Sequence, residues 1–109
     1  MDAALTTKIE ALLAANPTLL VMKGTPEAPM CGFSARAVQI LTHMKAPFTS
    51  LNIFEHDDLR QGLKEYSNWP TYPQLYVNGQ LIGGVDIMTD MYGEGELHEV
   101  LGIPLEQQA

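Results

Sequence analysis

The hydrophobic positions of this chain fall in short bursts whose period changes along its length. Residues 6–15 place Ile9, Leu12 and Leu13 at helical spacing, and Asn16-Pro17 ends the run. Residues 18–23 are almost wholly apolar between Pro17 and Gly24, the pattern of a strand buried on both faces. Helical spacing returns over residues 34–44 through Ala37, Val38, Leu41 and Met44, and residues 48–53 alternate as a second strand. Asp57 and Asp58 open a helix with Leu59, Leu63 and Tyr66 on one face; acids suit its positive end, and residues 68–73, with two prolines, break it. Residues 74–77 and 80–82 flank Asn78-Gly79, the strongest short hairpin signal. Residues 86–92 and 95–101 read as short helices, and residues 106–109 as a frayed tail. The strand–helix–strand unit implies a right-handed crossover and a parallel pair, to which the hairpin adds antiparallel strands. The expectation is an α/β fold: a small mixed four-stranded sheet with helices on both faces.

Length and composition narrow the function. A chain of 109 residues, 46% hydrophobic, can bury a core as one domain over residues 1–109. No apolar run approaches the ~20 residues that span a bilayer, so no membrane role is expected. A formal charge of −7 argues against a nucleic-acid surface. The N-terminus lacks the marks of a secretory signal or transit peptide, which reads as cytoplasmic; a processed protein of an organelle matrix would look the same. One cysteine rules out a disulfide framework within the chain. His43, His56 and His98 lack the i, i+4 pairing of a zinc site, the methionines read as core filler or surface scatter, and Glu94, Glu96 and Glu99 as a solvated acidic face.

That cysteine, Cys31, stands where a strand and a two-proline loop give way to a helix. Unpaired N–H groups and the helix dipole at such a start lower a thiol pKa, and Lys23 adds positive charge. An inert buried cysteine is the competing reading. Ser34 takes the place of the second cysteine of a C-x-x-C pair. A mixed disulfide on Cys31 would therefore need an outside thiol to resolve it, and Ser34 also suits a helix start as a hydrogen-bonding residue.

Cys31-Gly32-Phe33-Ser34 resembles the active-site motif of the CGFS-type monothiol glutaredoxins. Met22-Lys23-Gly24-Thr25-Pro26, Trp69-Pro70-Thr71-Tyr72-Pro73-Gln74-Leu75 and Gly83-Gly84-Val85-Asp86 join it in the same order and spacing, over nearly the whole chain. The resemblance implies a thioredoxin-like fold and a glutathione groove beside the cysteine. By the same resemblance Lys23 and Arg60 would meet the glycyl carboxylate. Tyr72 would pair its backbone with the tripeptide before a cis Pro73, Val85 would offer a backbone N–H to the γ-glutamyl end, and Asp86 its carboxylate. Taken singly, Lys23 and Arg60 read as surface charges, Asp86 as a helix N-cap, Gly83-Gly84 as a turn and Trp69 as packing under the proline-rich turn. The chain departs from the family in two places: Tyr72 stands where phenylalanine is common, and Val85 where many members carry a second cysteine. A disulfide or glutathionylation at position 85 is therefore excluded.

The resemblance implies a carrier of a [2Fe–2S] cluster, held between two protomers with glutathione and handed to apo iron–sulfur proteins in iron homeostasis. Such a cluster usually takes four thiolates; two chains supply two, and two glutathiones the rest. A glutathione-dependent thiol–disulfide oxidoreductase that removes glutathione from protein mixed disulfides is the alternative. A regulatory module in complexes with BolA-type proteins is a third reading. The loop over residues 24–30 favours the carrier, because members with this loop are generally poor reductases, so at most weak enzymatic activity is expected.

Overall fold

A computed structural model describes residues 1–105; the expected tail at residues 106–109 lies outside them. The order is α1 (Ala3–Ala15), β1 (Thr18–Met22), α2 (Gly32–His43), β2 (Thr49–Asn52), a short 3-10 helix (Ile53–Glu55), α3 (Asp57–Ser67), β3 (Gln74–Val77), β4 (Gln80–Gly83), α4 (Val85–Glu94) and α5 (Glu96–Leu101). The sheet runs β2-β1-β3-β4, with β1 parallel to β2 and antiparallel to β3. This is the mixed four-stranded sheet, with helices on both faces, that the periodicity predicts.

Side chains alternate across a strand, so the apolar run of β1 serves two cores at once. Leu20 and Met22 join Leu75 and Val77 under α2, α4 and α5, where Ala37, Ile40, Leu41, Met88 and Leu97 are buried. Leu19 and Val21 join Tyr76 on the opposite face under α1 and α3, against Ile9, Leu13, Leu59 and Leu63. Asn78 and Gly79 adopt φ values of 50° and 82°, as a tight hairpin turn between β3 and β4 requires. His98 is buried and stacks on Tyr92 at 5.7 Å.

Element ends differ from the sequence reading where side chains take over backbone partners. The second strand stops at Asn52, not residue 53, because the Asn52 carboxamide accepts from the N–H of Phe54 at 3.1 Å and of Gly24 at 3.0 Å. The first strand stops before Lys23, whose N–H turns to Ser34 Oγ at 3.0 Å. The last long helix begins at Val85 with Gly84 as its N-cap, so Asp86 lies within the first turn and is not the cap. Among the described residues, no helix is long and apolar enough to cross a membrane.

Candidate functional site

Cys31 is the N-cap residue of α2, with extended backbone before the helix begins at Gly32. Its sulfur accepts from the N–H of Ser34 at 3.3 Å, and Ser34 Oγ lies 3.5 Å away. Ser34 is fully buried. Its oxygen already accepts from the N–H of Lys23, which leaves the hydroxyl hydrogen free to point at the sulfur. Partial burial alone pushes the Cys31 thiol up. The Ser34 hydroxyl, the N–H groups of Ser34 and Phe33 and the charge of Lys23 outweigh it, and the thiol is held below its ordinary value. The site thus presents a half-buried thiol, its pKa held below the ordinary value, at a helix start and flanked by exposed Met30 and Phe33.

The loop that delivers Cys31 is internally tied. Met30 N–H donates to the Lys23 carbonyl at 2.9 Å, and Thr25 and Ala28 exchange backbone bonds of 3.3 and 3.0 Å. Gly24 makes this closure feasible: φ is +90°, and a Cβ there would lie 2.5 Å from the Ala28 carbonyl oxygen.

Lys23, just past the end of β1, and Phe33, in the first turn of α2, open onto a groove of about 480 Å³. Its lining also includes Trp69, Thr71, Tyr72 and Pro73, and Gly84 to Ile87 at the start of α4. The start of a ten-residue helix thus faces the groove with N–H groups that have no partner within the helix. Such a start favours an anion, and the lining also holds the Lys23 cation and the carboxylate of the exposed Asp86.

Four of the six residues singled out in the sequence, Lys23, Tyr72, Val85 and Asp86, line this groove. Cys31 is joined to it through Ser34 and Lys23. Arg60 lies outside the lining. Its guanidinium sits over the Phe54 ring, 5.5 Å from the centroid. The Tyr72–Pro73 bond is cis. The Tyr72 ring is buried, and its hydroxyl donates to the Arg60 carbonyl at 2.6 Å. Burial pushes that phenol far above its ordinary value, so it remains a donor.

Sequence reasoning missed two parts of the wall. Trp69, read as packing under the proline-rich turn, lines the groove with its indole beside Gly84; a Cβ at Gly84 would meet Trp69 Nε1 at 3.5 Å. Gln74, unremarkable in sequence, is fully buried behind the wall, and its amide donates to the carbonyls of Trp69 and Thr71 at 3.3 and 3.2 Å. A polar residue inside an otherwise apolar strand is the signal that could have found it.

Comparison with known proteins agrees with this geometry. The glutaredoxin family model matches residues 18–82. The chain is 51% identical over 94 residues to Glutaredoxin 4 of Pasteurella multocida, covering 86% of each chain. It is 53% identical over 91 residues to the chloroplastic monothiol glutaredoxin-S14 of Arabidopsis thaliana, covering 84% of this chain and 53% of that one. The solution structure of reduced poplar apo GrxS14 superposes with a TM-score of 0.78 at 50% identity, covering 90% of each chain. With one cysteine, set in Cys31-Gly32-Phe33-Ser34, whose Phe33 lines this groove, the chain belongs to the glutaredoxin family, among its CGFS-type monothiol members.

Proposed function

We propose that this glutaredoxin binds glutathione in the groove beside Cys31 and carries a [2Fe–2S] cluster between two protomers, passing it to apo iron–sulfur proteins. The observation that carries this reading is a single thiol, held below its ordinary pKa, with Ser34 where a resolving thiol would stand. One such ligand per chain falls short of the four thiolates a cluster usually takes. A second protomer and two glutathiones complete the set. Glutathione has two carboxylates, one ammonium and a peptide backbone. Lys23 suits the glycyl carboxylate, the backbone at Tyr72 suits the cysteinyl unit, and the N–H of Val85 with the Asp86 carboxylate suits the γ-glutamyl end. Arg60 would join the glycyl carboxylate by leaving the Phe54 ring. In this reading residues 1–109 work as one domain in the cytoplasm or an organelle matrix, in iron homeostasis, with BolA-type proteins as further partners.

Anaerobic reconstitution with iron, sulfide and glutathione tests the proposal. A brown protein with about one [2Fe–2S] cluster per two chains is expected. Protein that stays colourless with glutathione present overturns the carrier reading.

The lowered Cys31 pKa also favours a second reading, thiol–disulfide exchange with glutathione. The Cys31 thiolate attacks the glutathione sulfur of a protein mixed disulfide, and the protein thiolate leaves and takes up a proton. A second glutathione thiolate then attacks Cys31–S–SG, releasing oxidised glutathione and restoring the Cys31 thiolate. Turnover of a glutathionylated peptide by colourless protein would select this reading.

A further inference from the structure

We propose that a buried relay, Ser67–Tyr76–Gln74, positions the Trp69–Pro73 wall of the groove and so sets how tightly the groove holds its ligand; the ligand's identity rests on the glutathione reading above. Tyr76 hydroxyl donates to Gln74 Oε1 at 2.6 Å. Its one hydrogen is then spent, so the contact of 2.5 Å between Ser67 Oγ and Tyr76 Oη has the serine as donor. With its oxygen fixed toward Tyr76, the Gln74 amide points its nitrogen the other way. That nitrogen has two hydrogens and meets two carbonyls, Trp69 O at 3.3 Å and Thr71 O at 3.2 Å. Each hydrogen named has one acceptor, and the direction of the relay is set from Ser67 to the wall.

The wall needs this support. Residues 70–73 lie outside the helices and strands, between the end of α3 and the start of β3, so no regular ladder holds them. The Trp69 indole N–H is buried without an acceptor, so no hydrogen bond of its own fixes the ring. What fixes Trp69 is its backbone: the N–H donates to the Lys64 carbonyl at 3.0 Å, and the carbonyl accepts from Gln74. Gln74 and Tyr76 are both almost fully buried and touch the groove only through this backbone, so they are positioning residues. A buried amide facing two carbonyls costs desolvation free energy when either contact is lost, which favours the orientation that keeps both.

The test uses the full chain and its single tryptophan, Trp69, as the reporter of the wall. Gln74→Met keeps volume and removes both donors; Tyr76→Phe removes only the hydroxyl that orients the amide. Two quantities are measured on each folded variant: acrylamide quenching of Trp69 fluorescence, and the dissociation constant of reduced glutathione by calorimetry. Expected for Gln74→Met are faster quenching and roughly tenfold weaker glutathione binding, the loss that accompanies one misplaced polar contact. Tyr76→Phe should shift both in the same direction by less. A melting temperature that falls while quenching and affinity stay at wild-type values would reduce the relay to a structural role and overturn the proposal. If Gln74→Met does not fold, Tyr76→Phe decides by the same two readouts. Wild-type protein that binds no glutathione would remove the glutathione reading, and the quenching comparison would still decide whether the relay sets the wall.

Discussion

Cys31 is activated by its neighbours and not by its own burial, which works the other way. The Ser34 hydroxyl leads the groups that lower its pKa, and Lys23 contributes least. Ser34→Ala should therefore move the midpoint of pH-dependent iodoacetamide alkylation toward higher pH, and an unshifted midpoint would contradict the assignment. The sign for stability follows: the thiol's folded pKa lies below its unfolded value, so the contribution is full above the unfolded value and fades as pH falls through the folded one. Cys31→Ser should remove both cluster binding and glutathione exchange, because serine is a poor iron ligand and stays protonated at neutral pH. Iron and sulfide analysis after reconstitution reads the first, and full occupancy would sink the ligand assignment. The two cations should separate. Lys23→Ala removes a charge from the groove lining and should weaken glutathione binding by about 1.5–3 kcal/mol. Arg60→Ala should cost less, about 1 kcal/mol, because the exposed guanidinium first has to leave Phe54. Calorimetry of both variants reads the difference, and equal losses would place Arg60 in the groove from the start.

Two elements end where the groove needs them to. The N-terminus of α2 delivers the sulfur, and that of α4 delivers Gly84 and Val85, so two helix starts converge on one cleft. The loop between β1 and α2 is the connection that fixes the first of these. Gly24→Ala forces a Cβ against the Ala28 carbonyl and the Met30 N–H at 2.5 and 2.7 Å with φ at +90°. It should destabilise the protein by roughly 2–4 kcal/mol, because backbone on both sides cannot yield as a side chain can. Urea denaturation measures this, and a change under half a kilocalorie per mole, about the scatter of surface substitutions, would show the loop to be freely adjustable.

For the molecule as a whole the decisive quantity is ligand number. In the proposed carrier, one thiol per chain would make glutathione, cluster and dimer mutually stabilising, since each would bind only the state the others favour. Desalting away free glutathione should bleach the protein and convert dimer to monomer together. Size-exclusion chromatography followed at protein and cluster wavelengths reads both. A coloured monomer, or a dimer that outlives its colour, would contradict a bridged cluster and favour thiol exchange.

The sequence by itself determined the element order, the parallel pair, the hairpin and the place of the thiol, because these rest on local periodicity, turn chemistry and the residues next to Cys31. Asn78-Gly79 specifies its turn by φ alone, and the β1 run must be buried on both faces whatever surrounds it. Through its resemblance to a known family, the sequence also pointed to Lys23, Tyr72, Val85 and Asp86, which the fold gathers around one groove. Only the tertiary structure decided what depends on contacts between distant segments. It set Ser34 against both the sulfur and the N–H of Lys23, just past the end of β1 and eleven positions back in the chain. It turned Arg60 onto Phe54, made Trp69 a wall of the groove, and placed Gln74 behind that wall. No periodicity encodes such pairings, because a buried hydrogen bond is specified by where two backbones meet and not by the spacing of residues along either one.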